Sequence, residues 1–294
     1  MDIYAPETIN GAKLLGVYES GSPEWHAARQ FSVGGSEVGT ILGLNPYESA
    51  YALWAKKTGK IEVEVKENWA IRFGKAFEEP ILKLWQEEHP DWEVFATGTY
   101  QHPRYEFIHV NPDALARHRE TGEWQILEVK TARSTWESVP PAYTAQILHY
   151  MGTLDIRKGQ IVALAGMTWN EYEVEYSEEQ VEIQLEAVLR FWMSVVNDMK
   201  PEWDGSESTY NAVRLQHPEI DDTDVELGQL GISLVEAQKE ADMAYTRLRR
   251  VKSEVMDRMG TAKYAYVDLG NGQSKRVASR QFRAGGPVLI TNKK

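Results

Sequence analysis

Asp113, Glu128 and Lys130 are the residues whose types and spacing could support metal-dependent chemistry. Asp113 follows YEFIHV, a strand-like segment that an Asn-Pro pair ends because proline cannot donate to a sheet ladder. Trp124–Lys130 is predicted to be the next strand, since strand-forming aliphatic residues follow a Thr-Gly turn. Side chains alternate along a strand, so Glu128 and Lys130 project to the same side. The three side chains are therefore expected to meet at one end of a sheet.

Two carboxylates from adjacent strands would supply the hard oxygen ligands that Mg²⁺ or Mn²⁺ prefers. A lysine beside them would not bind the metal, but it could hold or deprotonate a metal-bound water or neutralise a phosphate. This combination suits phosphodiester hydrolysis, in which metal ions stabilise the attacking and leaving oxygens. The alternative for the Glu-x-Lys pair is a solvated strand face, with Leu127 and Val129 pointing into the core.

The segments that must position these residues are predicted to form a layered domain over residues 1–204. Helical patterns cover Pro23–Arg29, a short stretch of Val33–Leu44 that starts near Ser36, Ser49–Lys57, Trp69–His89 with a kink at Pro80, Pro141–Leu154, and a helix from the cap residue Ser177 to about Met199. Strand patterns cover Trp92–Tyr100 and Tyr105–Val110 as a hairpin, Trp124–Lys130, GQIVALAG and EYEVEYS. Strands separated by helices on this scale indicate an α/β or α+β fold.

The rest of the chain is predicted to be an acidic linker over 205–229 and a basic extension over 230–294. Five carboxylates within Pro218–Glu226 favour a solvated linker. The extension is predicted to be a helix followed by a hairpin, and the helix carries an a/d-like apolar seam of Leu234, Ala241, Leu248 and Val255. Its cations at Arg247, Arg249 and Arg250 could form a solvated face, a duplex-binding arm or an oligomer contact.

The composition limits both the chemistry and the compartment. The 294 residues include no cysteine, which excludes disulfides, thiolate catalysis and cysteine-held zinc or iron–sulfur centres. No apolar run is long enough to span a membrane and the first residues lack signal-peptide features, so a soluble, cytoplasmic protein is expected. The net charge of −12 disfavours general nucleic-acid binding, yet from Lys239 onward Lys and Arg outnumber Asp and Glu by 13 to 5. Localised phosphate contacts therefore stay compatible with an acidic body.

Several short motifs occur in the same order as in a known group of nucleases. Pro112-Asp113 with Glu128-Val129-Lys130 resembles the PD-(D/E)XK nuclease signature, and Gln146 with Tyr150 resembles the Q-x-x-x-Y element of RecB-like members of that superfamily. Further motifs resemble the YqaJ and lambda-exonuclease family of viral recombination nucleases: Trp25-His26 with Arg29, Gly35-Ser36-Glu37-Val38, and the G-x-x-x-E helix Gly74–Glu78. The resemblance covers residues 24–199, and several motifs in order are much more specific than any one of them.

The resemblance implies a PD-(D/E)XK, restriction-endonuclease-like core with a mixed central sheet flanked by helices. It implies a metal-dependent exonuclease of phage-type recombination that degrades one strand of duplex DNA 5′ to 3′ and leaves 3′ single-stranded overhangs. Two Mg²⁺ ions are expected, with Mn²⁺ able to substitute, and the implied ligands are Asp113, Glu128, the carbonyl of Val129 and Glu78, the last as a ligand or a water-positioning base. Lys130 would orient the nucleophilic water, and Gln146 would support the site from the following helix.

Near the start of the domain, the resemblance assigns Arg29 and Ser36 to the terminal 5′-phosphate, for which a guanidinium fork and a hydroxyl near a helix start are chemically suited. One departure concerns the acidic helix, because the family usually has Glu-Pro where this chain reads Glu78-Glu79-Pro80. The spacing to Gly74 favours Glu78 as the inward residue. Structural roles without a part in catalysis are expected for several other residues. Glu37 and Glu79 are expected to be solvated, and a helix surface is the alternative for Gln146. Trp25 and Tyr150 are expected to pack in the fold, and His26 and His149 to form structural hydrogen bonds.

The family further implies a ring-shaped homotrimer that binds double-stranded DNA ends and works with a single-strand annealing protein, in the host cytoplasm if a phage encodes it. Two alternatives stay open: an endonuclease on the same fold, since fold does not determine the cleavage mode, and a non-catalytic DNA-binding module. A glycosidase using Glu78 and Asp113 is disfavoured because Lys130 has no part in that chemistry.

Overall fold

The computed structural model describes residues 3–19, 21–62 and 68–291. Its helices are α1 Pro23–Gln30, α2 Gly35–Ile41, α3 Ala50–Lys57, α4 Trp69–Glu88, α5 Pro141–Leu154, α6 Glu178–Val196, α7 Glu207–Gln216 and α8 Gln229–Met259. Its strands are β1 Thr8–Ile9, β2 Ala12–Gly16, β3 Val33–Gly34, β4 Trp92–Phe95, β5 Thr99–Gln101, β6 Ile108–Val110, β7 Ala114–His118, β8 Trp124–Ala132, β9 Lys158–Ala165, β10 Thr168–Glu175, β11 Tyr264–Gly270, β12 Gln273–Arg283 and β13 Gly286–Thr291.

Two five-stranded sheets form the framework of the first part of the chain. One sheet has the order β1-β2-β5-β6-β3, and the other has the order β10-β9-β8-β7-β4. In the second sheet β8 pairs antiparallel with β7 and parallel with β9, which makes β8 the central strand. The fully buried Ile126 and Leu127 suit that position, because a central strand is covered on both faces. These mixed sheets and their flanking helices confirm the predicted fold class.

The two helices that matter for the site cover opposite faces of β8. Ile81, Leu82 and Trp85 of α4 share a buried cluster with Leu127, because residues three and four apart lie on one face of a helix. The apolar side of α5 belongs instead to the cluster that contains Ile126. Since neighbouring strand residues point to opposite faces, α4 and α5 sandwich this strand. The polar residues that follow Ile126 and Leu127 along β8 therefore emerge between two helices.

Helix prediction succeeded better than strand prediction. The helix predicted over Pro141–Leu154 coincides with α5, and Ser177 caps α6 by accepting a hydrogen bond from the Gln180 N–H. The single strand predicted over Trp92–Tyr100 is wrong, because residues 92–95 and 99–101 form two strands that belong to different sheets. Strand β7, directly after Asp113, was not predicted. It provides the hairpin partner of β8.

The chain divides into two compact units, Met1–Ile220 and Asp221–Lys294. Helix α7 lies within the segment predicted to be an acidic linker, and it packs on α3 inside the first unit. The second unit contains α8 and a three-stranded sheet in the order β11-β12-β13, one strand more than the predicted hairpin. Among the described residues, no helix combines the length and the apolar character needed to cross a membrane.

Candidate active site

The β7–β8 hairpin positions Asp113 beside the polar end of β8. Ala114 lies opposite Leu127 in this antiparallel pair. Asp113, the residue before Ala114, therefore lies beside Glu128, the residue after Leu127. The Asp113 Oδ2 atom accepts a hydrogen bond of 2.7 Å from the backbone N–H of Val129. This bond crosses from one strand to the other and holds the carboxylate at the end of the ladder. The predicted convergence of Asp113 with the Glu128-Val129-Lys130 segment is observed.

Glu128 is the most enclosed member of the group, with 2% of its surface exposed. Its Oε1 atom accepts hydrogen bonds from Lys130 Nζ and from Gln146 Nε2, both at 2.6 Å. Its Oε2 atom is buried and has no hydrogen-bond partner. A buried carboxylate oxygen without a donor is costly, because it has lost its water without replacement. This oxygen is therefore available to a cation.

Gln146 and Tyr150 connect the acidic group to the body of the fold. Gln146 Nε2 also lies 2.8 Å from the Tyr150 hydroxyl, which donates to the carbonyl of Asn111 at 3.3 Å. Both side chains are buried, so the helix-surface alternative for Gln146 is wrong. A Cβ atom placed on Gly35 would lie 2.2 Å from the Tyr150 ring. Glycine is thus required where α2 passes this ring.

Glu78 reaches the group from α4, as the spacing to Gly74 indicated. Burial and the nearby Glu128 raise the pKa of Glu78, and Lys130 opposes that rise. Glu79 is exposed and forms an ion pair of 2.9 Å with Lys83 one turn further along. The question of which glutamate faces the site is therefore answered in favour of Glu78.

Asp113, Glu128, Glu78 and Lys130, together called the carboxylate cluster below, bring three carboxyl groups together beside one ammonium group. Burial, followed by repulsion from Glu128 and Glu78, raises the pKa of Asp113 well above its usual range, although Lys130 and the Val129 N–H oppose the rise. Burial lowers the pKa of Lys130, but the attraction of Glu128 and Asp113 outweighs it and raises that pKa to about 12. Lys130 is therefore a cation at neutral pH, while the crowding of three carboxyl groups disfavours the charged forms of Asp113 and Glu78, a cost that a bound cation would relieve.

The donor set of the carboxylate cluster fits a hard divalent cation. Carboxylate and carbonyl oxygens are the ligands that Mg²⁺ and Mn²⁺ take, and the unpartnered Glu128 Oε2 is such an oxygen. In the described ranges, no three His, Asp or Glu side chains already stand in the arrangement of a finished metal site. The fit consequently rests on the buried Glu128 oxygen without a partner and on the crowding of three carboxyl groups.

A second polar group, called the arginine pocket below, consists of Arg29, Ser36, Glu37 and Trp25. Arg29 Nη2 donates to Ser36 Oγ at 2.9 Å and to Glu37 Oε1 at 3.2 Å. The guanidinium carbon lies 4.6 Å from the centroid of the Trp25 ring, a cation–π distance. The structure therefore brings together the two residues that the sequence assigned to a 5′-phosphate.

Glu37 corrects one expectation from the sequence. Instead of being solvated, its side chain is buried between Arg29 and Lys57, with a Lys57 Nζ to Oε1 distance of 2.9 Å. Burial raises the pKa of Glu37, but Lys57 and Arg29 outweigh burial, so the net shift is downward. Lys57 was not predicted to belong to any site. No signal in the sequence links it to Glu37, since the two residues lie twenty positions apart on different helices.

The two histidines that were expected to be structural differ from each other. His26 is exposed and makes an edge contact with Trp25, at a ring-centroid distance of 5.0 Å. His149 is buried, and its Nε2 atom has no hydrogen-bond partner. Burial, with a smaller effect of His102, lowers the pKa of His149 to about 4. His149 faces a separate cavity that also adjoins His102.

One cavity of about 340 Å³ joins the arginine pocket to the side of the carboxylate cluster formed by Glu78 and Asp113. Its lining includes Arg29, Ser36, Glu78, Asp113 and Gln146. A group bound at the arginine pocket and a group bound at the carboxylate cluster would therefore share one continuous space.

Comparison with solved structures finds exonucleases at low sequence identity. The alkaline exonuclease LHK-Exo from Laribacter hongkongensis is 16% identical, with 60% of this chain and 94% of that chain covered and a TM-score of 0.48. A phage-related exonuclease from Haemophilus somnus 129PT is 12% identical, with 57% and 96% covered and a TM-score of 0.41.

Comparison of sequences finds a relative that matches most of the chain and a family model that matches part of it. The uncharacterized protein YqaJ of Bacillus subtilis is 26% identical over 279 residues, which cover 87% of this chain and 83% of that protein. Protein D345L of African swine fever virus is 40% identical over 82 residues, only 27% of this chain and 24% of that protein. The family model that matches residues 24–157 contains both the arginine pocket and the carboxylate cluster. The model that matches residues 24–157 is that of the YqaJ-like viral recombinase domain, so this part of the chain is similar to that family.

Proposed function

We propose that this protein is a metal-dependent exonuclease that degrades one strand of linear duplex DNA from its 5′ end and leaves a 3′ single strand. The observation that carries the proposal is the single cavity shared by the arginine pocket and the carboxylate cluster. One end offers a guanidinium and a hydroxyl to a phosphate, and the other offers oxygen ligands to a cation. Cleavage next to a held terminal phosphate is what that arrangement suits.

Asp113, Glu128, Glu78 and the carbonyl of Val129 would hold the metal, which we propose to be two Mg²⁺ ions with Mn²⁺ able to substitute. When bound, the metal would stabilise charge on the attacking and leaving oxygens of the phosphodiester. The Val129 N–H holds Asp113 in place, and Gln146 holds Glu128. Those hydrogen bonds fix the two ligand carboxylates before a metal arrives, which reduces the reorganisation that binding requires.

Lys130 acts as a cation in this proposal. Its high pKa keeps the ammonium group protonated at neutral pH, so orienting the attacking water or stabilising the phosphate fits better than removing a proton. Its Nζ lies 2.6 Å from Glu128 Oε1, so the residue that orients the water is itself held by a metal ligand. Charge on the cleaved phosphate then develops beside a fixed positive group.

Arg29 and Ser36 would bind the 5′-terminal phosphate at the other end of the cavity. A terminal monoester carries more negative charge than an internal diester, and a planar guanidinium can bind it through two parallel hydrogen bonds. Contact between Arg29 Nη2 and Ser36 Oγ places both groups at one point on the cavity wall. The pocket would thereby set the direction of degradation.

We further propose a homotrimer that acts on DNA ends with a single-strand annealing protein. The resemblance to the viral recombination nucleases supports this assembly. Within the second unit, exposed apolar residues on α8, among them Leu234, Leu248 and Val251, offer a surface suited to contacts between chains.

The test compares 5′-phosphorylated linear duplex with covalently closed circular duplex, each incubated with wild-type protein and Mg²⁺. Loss of linear DNA alone, with mononucleotides released from the 5′-labelled end, is the expected result. Cutting of the circle would assign the endonuclease activity instead. Binding without hydrolysis of either substrate would assign the non-catalytic module, and an EDTA control establishes the need for metal.

A further inference from the structure

We infer that Glu37 and Lys57 form a buried ion pair whose role is to position Arg29 for the terminal phosphate. The inference rests on the proposed function, because it concerns the pocket that would recognise the 5′ end. Glu37 and Lys57 would be positioning residues: they touch Arg29, and Arg29 touches the phosphate.

The hydrogen bonds of Lys57 leave it no means of binding a ligand. An ammonium group has three N–H donors. Lys57 Nζ donates to the carbonyl of Arg29, to the carbonyl of Ser32 at 2.6 Å, and to Glu37 Oε1 at 2.9 Å. The side chain is 4% exposed. All three donors are thus used inside the protein, and two of them hold the main chain at the end of α1.

Glu37 is occupied in the same way. Its Oε1 atom receives both Lys57 Nζ and Arg29 Nη2, and its Oε2 atom accepts from the Gly34 N–H at 2.9 Å. One carboxylate therefore joins the Arg29 side chain to the glycine-rich turn that precedes Ser36. Charge-assisted hydrogen bonds of this kind are short and directional, so they restrict where the guanidinium can lie.

The other surfaces of Arg29 are also constrained. The Trp25 ring covers the guanidinium at 4.6 Å, and a Cβ atom placed on Gly34 would lie 3.3 Å from Arg29 Nη1. A flexible arginine would otherwise lose rotamer entropy each time it bound a phosphate. Because the ion pair and the ring already restrict it, that loss is reduced before the ligand arrives.

The experiment measures equilibrium binding of short duplexes that differ only in a 5′-phosphate or 5′-hydroxyl, by fluorescence anisotropy of an internal label, with Ca²⁺ in place of Mg²⁺ to suppress hydrolysis. In the wild type we expect tighter binding of the phosphorylated end. The end preference is the Kd of the 5′-hydroxyl duplex divided by the Kd of the 5′-phosphate duplex, called the ratio below. Lys57→Met should reduce this ratio by about tenfold, which is the scale of one charge-assisted hydrogen bond. Affinity for the 5′-hydroxyl duplex should stay within about twofold, which a collapse of the fold would not allow.

Matched variants separate positioning from stability. Lys56→Met removes the same charge from the neighbouring residue of α3, where Lys56 pairs with Glu48, and should leave the ratio unchanged. Breaking one half of a buried ion pair is strongly destabilising, so Glu37→Gln/Lys57→Met removes both charges together and should also lower the ratio. In an Arg29→Ala background, Lys57→Met should have no further effect, because the residue acts through Arg29.

Two results would overturn the inference. The first is a wild-type ratio of one, and the second is a ratio in folded Lys57→Met and in the double variant that equals the wild-type ratio. Failure of the proposed nuclease activity looks different. In that case the wild type would bind phosphorylated ends preferentially, and the ion-pair variants would lose that preference, while linear duplex stayed intact with Mg²⁺.

Discussion

The two ends of the cavity use the same kinds of residue but balance their charges in opposite ways. In the arginine pocket, Glu37 lies between two cations, and each of its oxygens has a donor. In the carboxylate cluster, three acids face one lysine, and a buried oxygen of Glu128 has no donor. The Glu37 carboxylate of the arginine pocket is thus fully paired within the protein, whereas the Glu128 carboxylate of the carboxylate cluster is not.

This difference indicates how each end would bind. The arginine pocket holds its donors in place through internal hydrogen bonds before a ligand binds. It should therefore discriminate between ligands while contributing a moderate binding free energy. The carboxylate cluster depends on a bound ion to relieve the repulsion among its carboxyl groups. DNA cleavage should therefore stop when one of the residues that hold the ion is replaced. Variants at the carboxylate cluster should therefore have large effects on rate and small ones on end preference, and variants at the arginine pocket the reverse.

The largest effect is expected for Asp113→Asn, which tests the carboxylate cluster directly. Removing a ligand charge should reduce cleavage by about 10³-fold or more, while the melting temperature stays at or above that of the wild type, because repulsion from Glu128 and Glu78 is relieved. Initial rates on linear duplex and thermal unfolding measure the two quantities. Asp155→Asn is the control, since Asp155 is an exposed partner of Arg157. Near-normal cleavage by Asp113→Asn would remove Asp113 from the site.

Lys130→Met should separate catalysis from metal binding within the same cluster. We expect cleavage to fall about 10²-fold or more, because a fixed positive charge beside the phosphate is lost. Affinity for Mn²⁺ should rise, since Lys130 Nζ no longer competes for Glu128 Oε1. Calorimetric titration with Mn²⁺ measures that affinity, and Lys158→Met, at an exposed ion pair with Glu123, is the control. Weaker Mn²⁺ binding would mean that Lys130 organises the ligands instead.

The two ends also differ in how far the sequence predicted them. The carboxylate cluster could be predicted because its members lie at strand and helix positions with fixed periodicity, and because the motifs occur in a known order. Asp113, Glu128 and Gln146 could be placed together without coordinates. The Glu37–Lys57 pair could not, since a glutamate in a glycine-rich segment is normally solvated and this one is enclosed by tertiary contacts, among them Arg29 of α1 and Lys57 of α3.

The errors in strand prediction have a similar physical origin. The β7 sequence ALARH is rich in residues with high helix propensity, and it becomes a strand because it pairs with β8. Between Phe95 and Thr99, a short irregular segment containing Gly98 sends the chain from one sheet to the other. A Cβ atom on Gly98 would lie 2.4 Å from the carbonyl oxygen of Gly16, a tertiary contact that local patterns do not encode.

A moderate effect is expected for Arg29→Ala, which tests the arginine pocket. Wild-type protein should degrade 5′-phosphorylated duplex faster than 5′-hydroxyl duplex, and the variant should lose most of that preference, about tenfold, without weaker Mn²⁺ binding. Arg29→Lys should restore only part of it, because an ammonium group lacks the planar fork. Initial rates on both ends provide the measurement. Equal wild-type rates would remove the phosphate pocket, and a preference that survives Arg29→Ala would move it to another cation.

The smallest effect is expected at another buried atom without a partner, Nε2 of His149, and it tests whether such an atom always marks a ligand. His149 lies on α5 between Gln146 and Tyr150, but it adjoins a different cavity from the one that joins the two ends. An unpaired buried polar atom destabilises a fold by about 1–3 kcal/mol, so His149→Leu should stabilise the protein by up to that amount without changing cleavage.

The gain should depend on pH in a defined direction. Burial and His102 lower the pKa of His149 from its ordinary value near 6.5 to about 4 in the folded protein, so the unfolded chain binds the extra proton first as the pH falls. The wild type should lose stability progressively from pH 6.5 towards pH 4, and His149→Leu should avoid that loss. Urea unfolding at pH 7.5 and pH 5 measures the difference, which should be larger at pH 5. His118→Leu is the control, because the His118 Nδ1 atom already accepts the Thr121 N–H. Destabilisation of the variant at both pH values would show that the His149 side chain has a stabilising partner. Reduced cleavage would show that His149, like Glu128, contributes to the function.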